Sequence, residues 1–231
     1  MVFSWTPEQI RFYLDASARS DYDRLLAARI REAAPEAETI CDAGCGLGGL
    51  SLALSAQFSS VTAIDCSKNA ITCLRERIAA QGLGNVRAMQ EDLMTYTPPT
   101  PFDAMVFCYF GQTEEILQIA SHCCRGTVLL VKRNYDSHRF TLQKEKHTRD
   151  TADSAAEVLR ERGIRFRRED LETEFGQPFR SLSEAVRFFE LYDGGTVTQA
   201  AVREKLQATV DKEFPFYFPQ KKRVSLLWYR Q

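Results

Sequence analysis

The stretch ETICDAGCGLGGLSLAL, Glu38 to Leu54, restricts the fold more than any other part of the chain. An apolar run, Thr39 to Ala43, leads into Gly44, Gly46, Gly48 and Gly49. Leu47, Leu50, Leu54 and Phe58 then follow at helical intervals. A strand that turns through glycine into a helix lets backbone approach a ligand with no Cβ in the way, and aims a helix N-terminus at it. Gly44 to Gly49 satisfy G-x-G-x-x-G, the dinucleotide fingerprint. Counted from Asp42, the same letters satisfy D-x-G-x-G-x-G, so the loop alone leaves its ligand open.

The rest of the chain repeats this alternation. Val61–Ile64, Val86–Met89, Ala104–Cys108 and the TVLLV run after Gly126 read as further strands. Ile71, Leu74 and Ile78, and then Ile116, Leu117 and Ile119, mark helices between them. The strands are continuous apolar runs, which predicts cover on both faces and a doubly wound, mostly parallel α/β sheet. Pro7 to about Ala34 reads as a helical extension before that core. After a helix at Ala155–Leu159, IRFRRED reads as an exposed strand. SLSE (Ser181–Glu184) and the Thr196–Gln199 pair read as capping boxes opening two more helices, the second carrying Val202, Leu206 and Val210. VSLLWY closes the chain as a strand. The expected organisation is one domain: extension 1–36, core 37–172, helical cap 173–221 and final strand 222–231.

The 231 residues carry a net charge of -1, so no basic field argues for nucleic acid or an anionic membrane. No apolar run reaches the roughly 20 residues of a membrane span, and the N-terminal segment lacks signal-peptide features, which makes cytoplasmic residence the expectation. Seven cysteines without C-x-x-C or zinc spacing read as free thiols, with no metal expected. The basic RERGIRFRR segment, Arg160–Arg168, reads as a solvated edge.

Three carboxylates narrow the ligand. Asp42 precedes the first glycine and suits a cationic ligand group. Asp65 ends the second strand, where a carboxylate accepts both ribose hydroxyls of either cofactor type. Asp92 follows the third strand, where it can take an exocyclic amine while the Leu93 N–H meets a ring nitrogen. Capping of the next turn is the plainer role for Asp92.

With DAGCGLG, AID (Ala63–Asp65), EDL (Glu91–Leu93) and FDAMVFCYF (Phe102–Phe110), the chain resembles the class I S-adenosylmethionine-dependent methyltransferases. The resemblance spans roughly residues 38–132 and the final strand. It implies a seven-stranded Rossmann-like sheet with an antiparallel edge strand, and S-adenosyl-L-methionine as cofactor. It implies a site drawn from Asp42, Gly44, Cys45, Gly46, Asp65, Cys66, Asp92, Leu93, Cys108 and Tyr13. Cys108-Tyr109-Phe110-Gly111 replaces the Asp/Asn-Pro-Pro-aromatic turn of the enzymes that methylate nucleic-acid amines, which favours a small-molecule acceptor. Tyr109 and His138 are the candidate catalytic side chains, though methyl transfer needs mainly alignment and exclusion of water. Trp5, Phe12 and Tyr13 are candidates to close over the cofactor. Phe188, Phe189, Tyr192, Phe216, Tyr217 and Phe218 would line either the acceptor pocket or the cap's own core.

Two other readings compete. An NAD(P)-dependent oxidoreductase would use YFPQK (Tyr217–Lys221) as Y-x-x-x-K, but Pro219 stands inside the helix that pair needs. A non-catalytic adenosylmethionine-binding relative would keep the sheet without turnover.

Overall fold

The apolar runs become strands because each has two faces to bury. In a computed structural model describing residues 5–135, 151–193 and 196–231, five strands run parallel: β1 (Thr39–Ala43), β2 (Ser60–Asp65), β3 (Val86–Gln90), β4 (Phe102–Cys108) and β5 (Cys124–Arg133). β6 (Arg167–Glu174) follows. The chain then builds a cap that contains β7 (Gln177–Phe179), β8 (Gln207–Ala208) and β9 (Phe216–Phe218), and returns as β10 (Lys221–Arg230). The seven-stranded sheet has the order β3-β2-β1-β4-β5-β10-β6.

β10 runs antiparallel to both neighbours, with Leu227 opposite Leu130 on one side and Arg168 on the other. Its direction matches expectation, but its place does not, because it lies inside the sheet and β6 forms the edge. VSLLWY is apolar toward both faces and needs cover. RREDLETE alternates charge with half-buried positions, which suits an edge strand. Lys221 and Arg223 of β10 tie that edge through Glu172, each at 2.5 Å.

Alternate strand residues feed two cores. Ile40, Val106 and Val131 face α1 (Pro7–Ser17), α2 (Tyr22–Ala33) and α3 (Gly49–Leu54), where Tyr22, Leu26, Ile30 and Leu54 meet them. α4 (Lys68–Ala80) packs Leu74 against Leu52 and Ala63. Cys41, Phe107 and Leu130 face α5 (Thr113–Cys123) and α6 (Ala152–Glu161) through Ile116, Ile119 and Leu159.

The N-terminal extension is helical and consists of two helices, α1 and α2. Thr6 and Gln9 form a capping box for α1. The chain turns at Ser20, whose hydroxyl donates to the Glu174 carbonyl at 2.6 Å and accepts from the Tyr22 N–H.

The cap departs from the all-helical expectation. α7 (Leu182–Asp193) and the short α8 (Gln199–Arg203) are joined by a small sheet of order β7-β9-β8. Pro215 and Pro219 bar a helix through Phe216–Phe218, so this aromatic run pairs with Gln177–Phe179. The second cap helix starts from Thr198, not Thr196, and stops at Arg203, leaving Val210 exposed. Phe12 of α1, Phe179, Phe188, Phe189 and Phe218 form the cap's own core, so Phe12 is spent on packing there. α1 thus belongs to the cap as much as to the sheet. Arg180 fastens them, donating to Asp15 at 2.5 and 3.1 Å and to Glu213 at 3.1 Å.

Candidate active site

Parallel strands bring their carboxyl ends to one edge, and β1 and β2 set the site there. The Gly44 and Cys45 N–H groups both donate to the Ile64 carbonyl, at 2.8 and 3.0 Å, so the loop is bound to β2 from its first turn. Gly46 has φ 52, a left-handed conformation that disfavours a side chain. A Cβ there would point toward the Trp5 indole, 3.6 Å away. Gly49 matters for closeness: a Cβ would lie 2.3 Å from Asp23 Oδ2 and 2.9 Å from the Tyr13 hydroxyl. Tyr13 and Asp23, from α1 and α2, therefore close directly on the first residue of α3.

The three predicted carboxylates occupy distinct states. Asp65 Oδ2 accepts the Gly46 N–H at 2.9 Å and Oδ1 accepts the Ser67 N–H at 2.8 Å, so Asp65 shapes the loop as well as facing the ligand edge. Asp42 is buried. Its Oδ2 takes the Ser51 hydroxyl at 2.5 Å, while Oδ1 is buried without a hydrogen-bond partner. Burial pushes the Asp42 carboxyl up to about 7, against the Ser51 hydrogen bond and with the fields of Asp23 and Asp65. Asp92 is exposed, and its Oδ1 accepts the Met94 N–H at 3.0 Å, the turn-capping role. Leu93 is buried in the core beneath.

Beyond β4 the backbone turns sharply at Tyr109, φ 56, the one non-glycine residue with positive φ among those described. Lys132, fully buried on β5, holds this turn by donating to the Phe110 and Gly111 carbonyls at 3.1 and 2.8 Å. Cys108 lies 3.9 Å (Sγ) from the Tyr22 hydroxyl, and burial pushes its thiol up to about 12. Rings continue along the wall: Trp5 meets Tyr13 edge-on at 5.6 Å, Tyr13 meets Phe175 at 6.2 Å, and Phe175 meets Tyr22 at 5.8 Å. The Lys222 Nζ sits 3.5 Å from the Tyr22 ring centroid, 4.5 Å from Phe175 and 5.1 Å from Tyr109.

The structure thus gathers Asp42, Gly44, Cys45, Gly46 and Asp65 at one loop, with Cys66 exposed beside it and Tyr13 across Gly49. Cys108 is drawn toward Tyr22 and α2. His138 lies outside the described residues. Tyr217 and Lys221 fall in strands, not on a helix face. Sequence reasoning missed Ser51, Asp23, Lys132, Phe175 and Lys222. A signal existed for two of them: Lys222 shares strand parity with Val224 and Leu226, and Lys132 with Leu130 and Val128. Among the described residues no group of three or more His, Cys, Asp or Glu gathers as metal ligands. No helix among them is long and apolar enough to cross a membrane. A cavity of about 810 Å³ opens beside Asp103, Arg125, Arg165 and Trp228, with no residue of the glycine loop in its lining.

Residues 40–127, which contain the loop and all three carboxylates, match a family model described as a methyltransferase domain. Sheet order and glycine loop stand beside this match as what the chain shares with the class I, Rossmann-like S-adenosylmethionine-dependent methyltransferases, which it resembles. Solved structures share the fold at low identity. The [4+2]-cyclase SpnF is 17% identical with a TM-score of 0.56, the match covering 100% of this chain and 98% of that one. YcgJ from Bacillus subtilis is 14% identical with a TM-score of 0.54, covering 91% and 98%. Magnesium protoporphyrin IX methyltransferase (ChlM) from Synechocystis PCC 6803, solved with bound SAM, is 13% identical with a TM-score of 0.51, covering 98% and 86%. No curated protein matches the chain.

Proposed function

We propose that this chain binds S-adenosylmethionine in the glycine loop and transfers its methyl group to a small-molecule acceptor held under the cap. The observation that carries the reading is Asp42 Oδ1, a buried carboxylate oxygen without a hydrogen-bond partner, two residues before the first glycine of the loop. Leaving such an atom unsatisfied costs about 1–3 kcal/mol, more when charged, and a cationic ligand group removes that cost. Asp65 would hold the ribose hydroxyls with the lone pairs its backbone bonds leave open. Asp92 and the Leu93 N–H would meet the adenine edge.

When bound, the cofactor supplies an electrophilic methyl carbon on a sulfonium. The chain's part is to orient and to keep water out. Trp5, Tyr13, Phe175 and Tyr22 form a continuous aromatic wall from Gly46 toward the cap. Lys132 fixes the turn at Tyr109, whose ring then stands at the acceptor side. The test is a thermal-shift panel with S-adenosylmethionine, S-adenosylhomocysteine, NAD and NADP, followed by calorimetry. The two adenosyl ligands should stabilise the protein. Stabilisation by NAD or NADP alone overturns the reading.

A further inference from the structure

We propose that the cavity at the start of β5 is a second ligand site, built for a small organic phosphate that carries a flat ring, as a mononucleotide does. The inference is independent of the methyltransferase reading, because this cavity lies at the opposite end of the sheet from the glycine loop. Asp103, Arg125 and Thr127 stand where β4 and β5 begin, Trp228 and Arg230 where the antiparallel β10 ends, and Arg165 and Arg167 where the chain enters β6. β4 alone spans 7 residues, so on the order of 20 Å of strand separates the two places.

A volume of about 810 Å³ is that of a small-molecule pocket. Four arginines and three carboxylates line it, and each carboxylate is already engaged. Arg125 donates to Asp103 at 2.6 Å, Arg29 meets Glu32 at 2.7 Å and Arg230 meets Glu36 at 3.5 Å. Arg165 and Arg167 are left over. Both are exposed, and among the described residues no carboxylate lies within 4.0 Å of either guanidinium. Their neighbour Arg168 differs, being taken up by Asp153 at 2.5 Å and Asp170 at 2.9 Å. The segment that reads in sequence as a solvated edge thus puts one arginine into structure and two into a cavity wall. α2 ends at the rim, and bare carbonyls at a helix C-terminus would repel an anion. Arg31 covers them, donating to the Ala37 carbonyl at 2.6 Å and to the Pro35 carbonyl.

Trp228 and Phe166 supply a flat apolar surface, and both are only half-buried. Trp228 is the ladder partner of Arg167, so indole and guanidinium share one face of the sheet. A guanidinium grips phosphate oxygens with paired N–H donors, and an indole stacks on a ring. A bare anion would leave the aromatic surface wet. A neutral ring would leave both arginines without a counter-charge.

The experiment is calorimetry on the 231-residue chain with AMP, GMP and UMP, the matching nucleosides, and pyrophosphate. At least one nucleotide should bind about tenfold tighter than its nucleoside, a difference of about 1.4 kcal/mol, and tighter than pyrophosphate. S-adenosylhomocysteine should not displace it. Arg165→Gln combined with Arg167→Gln should remove the preference for nucleotide over nucleoside and leave S-adenosylhomocysteine affinity unchanged. Both positions are exposed, so this variant should fold. Trp5→Phe leaves Trp228 as the one tryptophan, and the bound nucleotide should quench its emission. Absence of binding by every nucleotide, a nucleoside or pyrophosphate that binds as well, displacement by S-adenosylhomocysteine, unquenched Trp228 emission, or a preference that survives in the double variant would each overturn the proposal. So would a short single-stranded RNA that binds far more tightly than the mononucleotides, the mark of an open nucleic-acid groove.

Discussion

Asp65 Oδ2 accepts the Gly46 N–H at 2.9 Å, so the last residue of β2 holds the middle of the glycine loop. A carboxylate expected only to grip a ligand also shapes the surface the ligand meets. Asp65→Ala removes both functions, and S-adenosylhomocysteine affinity should fall at least tenfold, about 1.4 kcal/mol, by calorimetry. Asp65→Asn, which keeps one acceptor oxygen, should fall in between. Unchanged affinity in the alanine variant would place the nucleoside elsewhere.

Asp42 and Asp103 should give opposite pH signatures. Burial raises the Asp42 carboxyl to about 7, above its unfolded value near 3.9, so the folded state holds an extra proton between those pH values. Stability should therefore fall as pH rises from about 4 to 7, with a ceiling on the order of 4 kcal/mol, and Asp42→Asn should remove that slope. Ligand affinity should move the other way. The ionised carboxylate attracts a ligand ammonium, so S-adenosylhomocysteine should bind more tightly at pH 8 than at pH 6. At Asp103, partial burial is outweighed by hydrogen bonds from Thr39, Arg125 and Glu38, which bring the carboxyl down to about 2. Its contribution is present above about pH 4 and is lost as pH falls toward 2. Urea melts across pH for the unmutated protein, Asp42→Asn and Asp103→Asn separate the two.

Gly49→Ala should destabilise by about 1–3 kcal/mol, because its methyl would collide with the Asp23 carboxylate and the Tyr13 hydroxyl. Gly84→Ala is the matched control, since a Cβ there meets nothing within 4 Å. It should shift the urea midpoint little, or upward through a less flexible unfolded chain. Equal losses at the two positions would mean that α1 and α2 do not close on α3.

Lys132→Met should cost about 1–3 kcal/mol by leaving the Phe110 and Gly111 carbonyls without their buried donor. Hydrogen exchange should accelerate at residues 109–112 more than in β1 or β2. Loss of stability spread evenly over the sheet would show that this lysine does not govern the turn.

The glycine-loop half of the candidate site was legible because it is local. Asp42 to Gly49 is one strand, one turn and one helix start, and Asp65 ends the next strand, so periodicity and spacing locate them. The cluster of rings around Lys222 was not, because its members meet only through the sheet order. Tyr22, Tyr109, Phe175 and Lys222 are separated by 47 residues or more along the chain, and nothing local announces that β10 inserts between β5 and β6. The cap was misread where two signals conflicted. Helical spacing of Val202, Leu206 and Val210 suggested a long helix, but the prolines flanking Phe216–Phe218 favoured a strand, and tertiary pairing with Gln177–Phe179 decided between them.

The cap leaves the sheet after Glu174 and returns at Lys221, and these two residues are partners in the β6–β10 ladder. The excursion therefore begins and ends at one point, like a long hairpin whose legs are already zipped. Lengthening such a segment costs only about 0.6 kcal/mol per doubling. Neither β1 and β2, which carry Asp42 and Asp65, nor β3, which precedes Asp92, has to move to accommodate a different one. The cap is in this sense a replaceable module: the segment between residues 174 and 221 can change in length and sequence while the sheet and the glycine loop stay as they are.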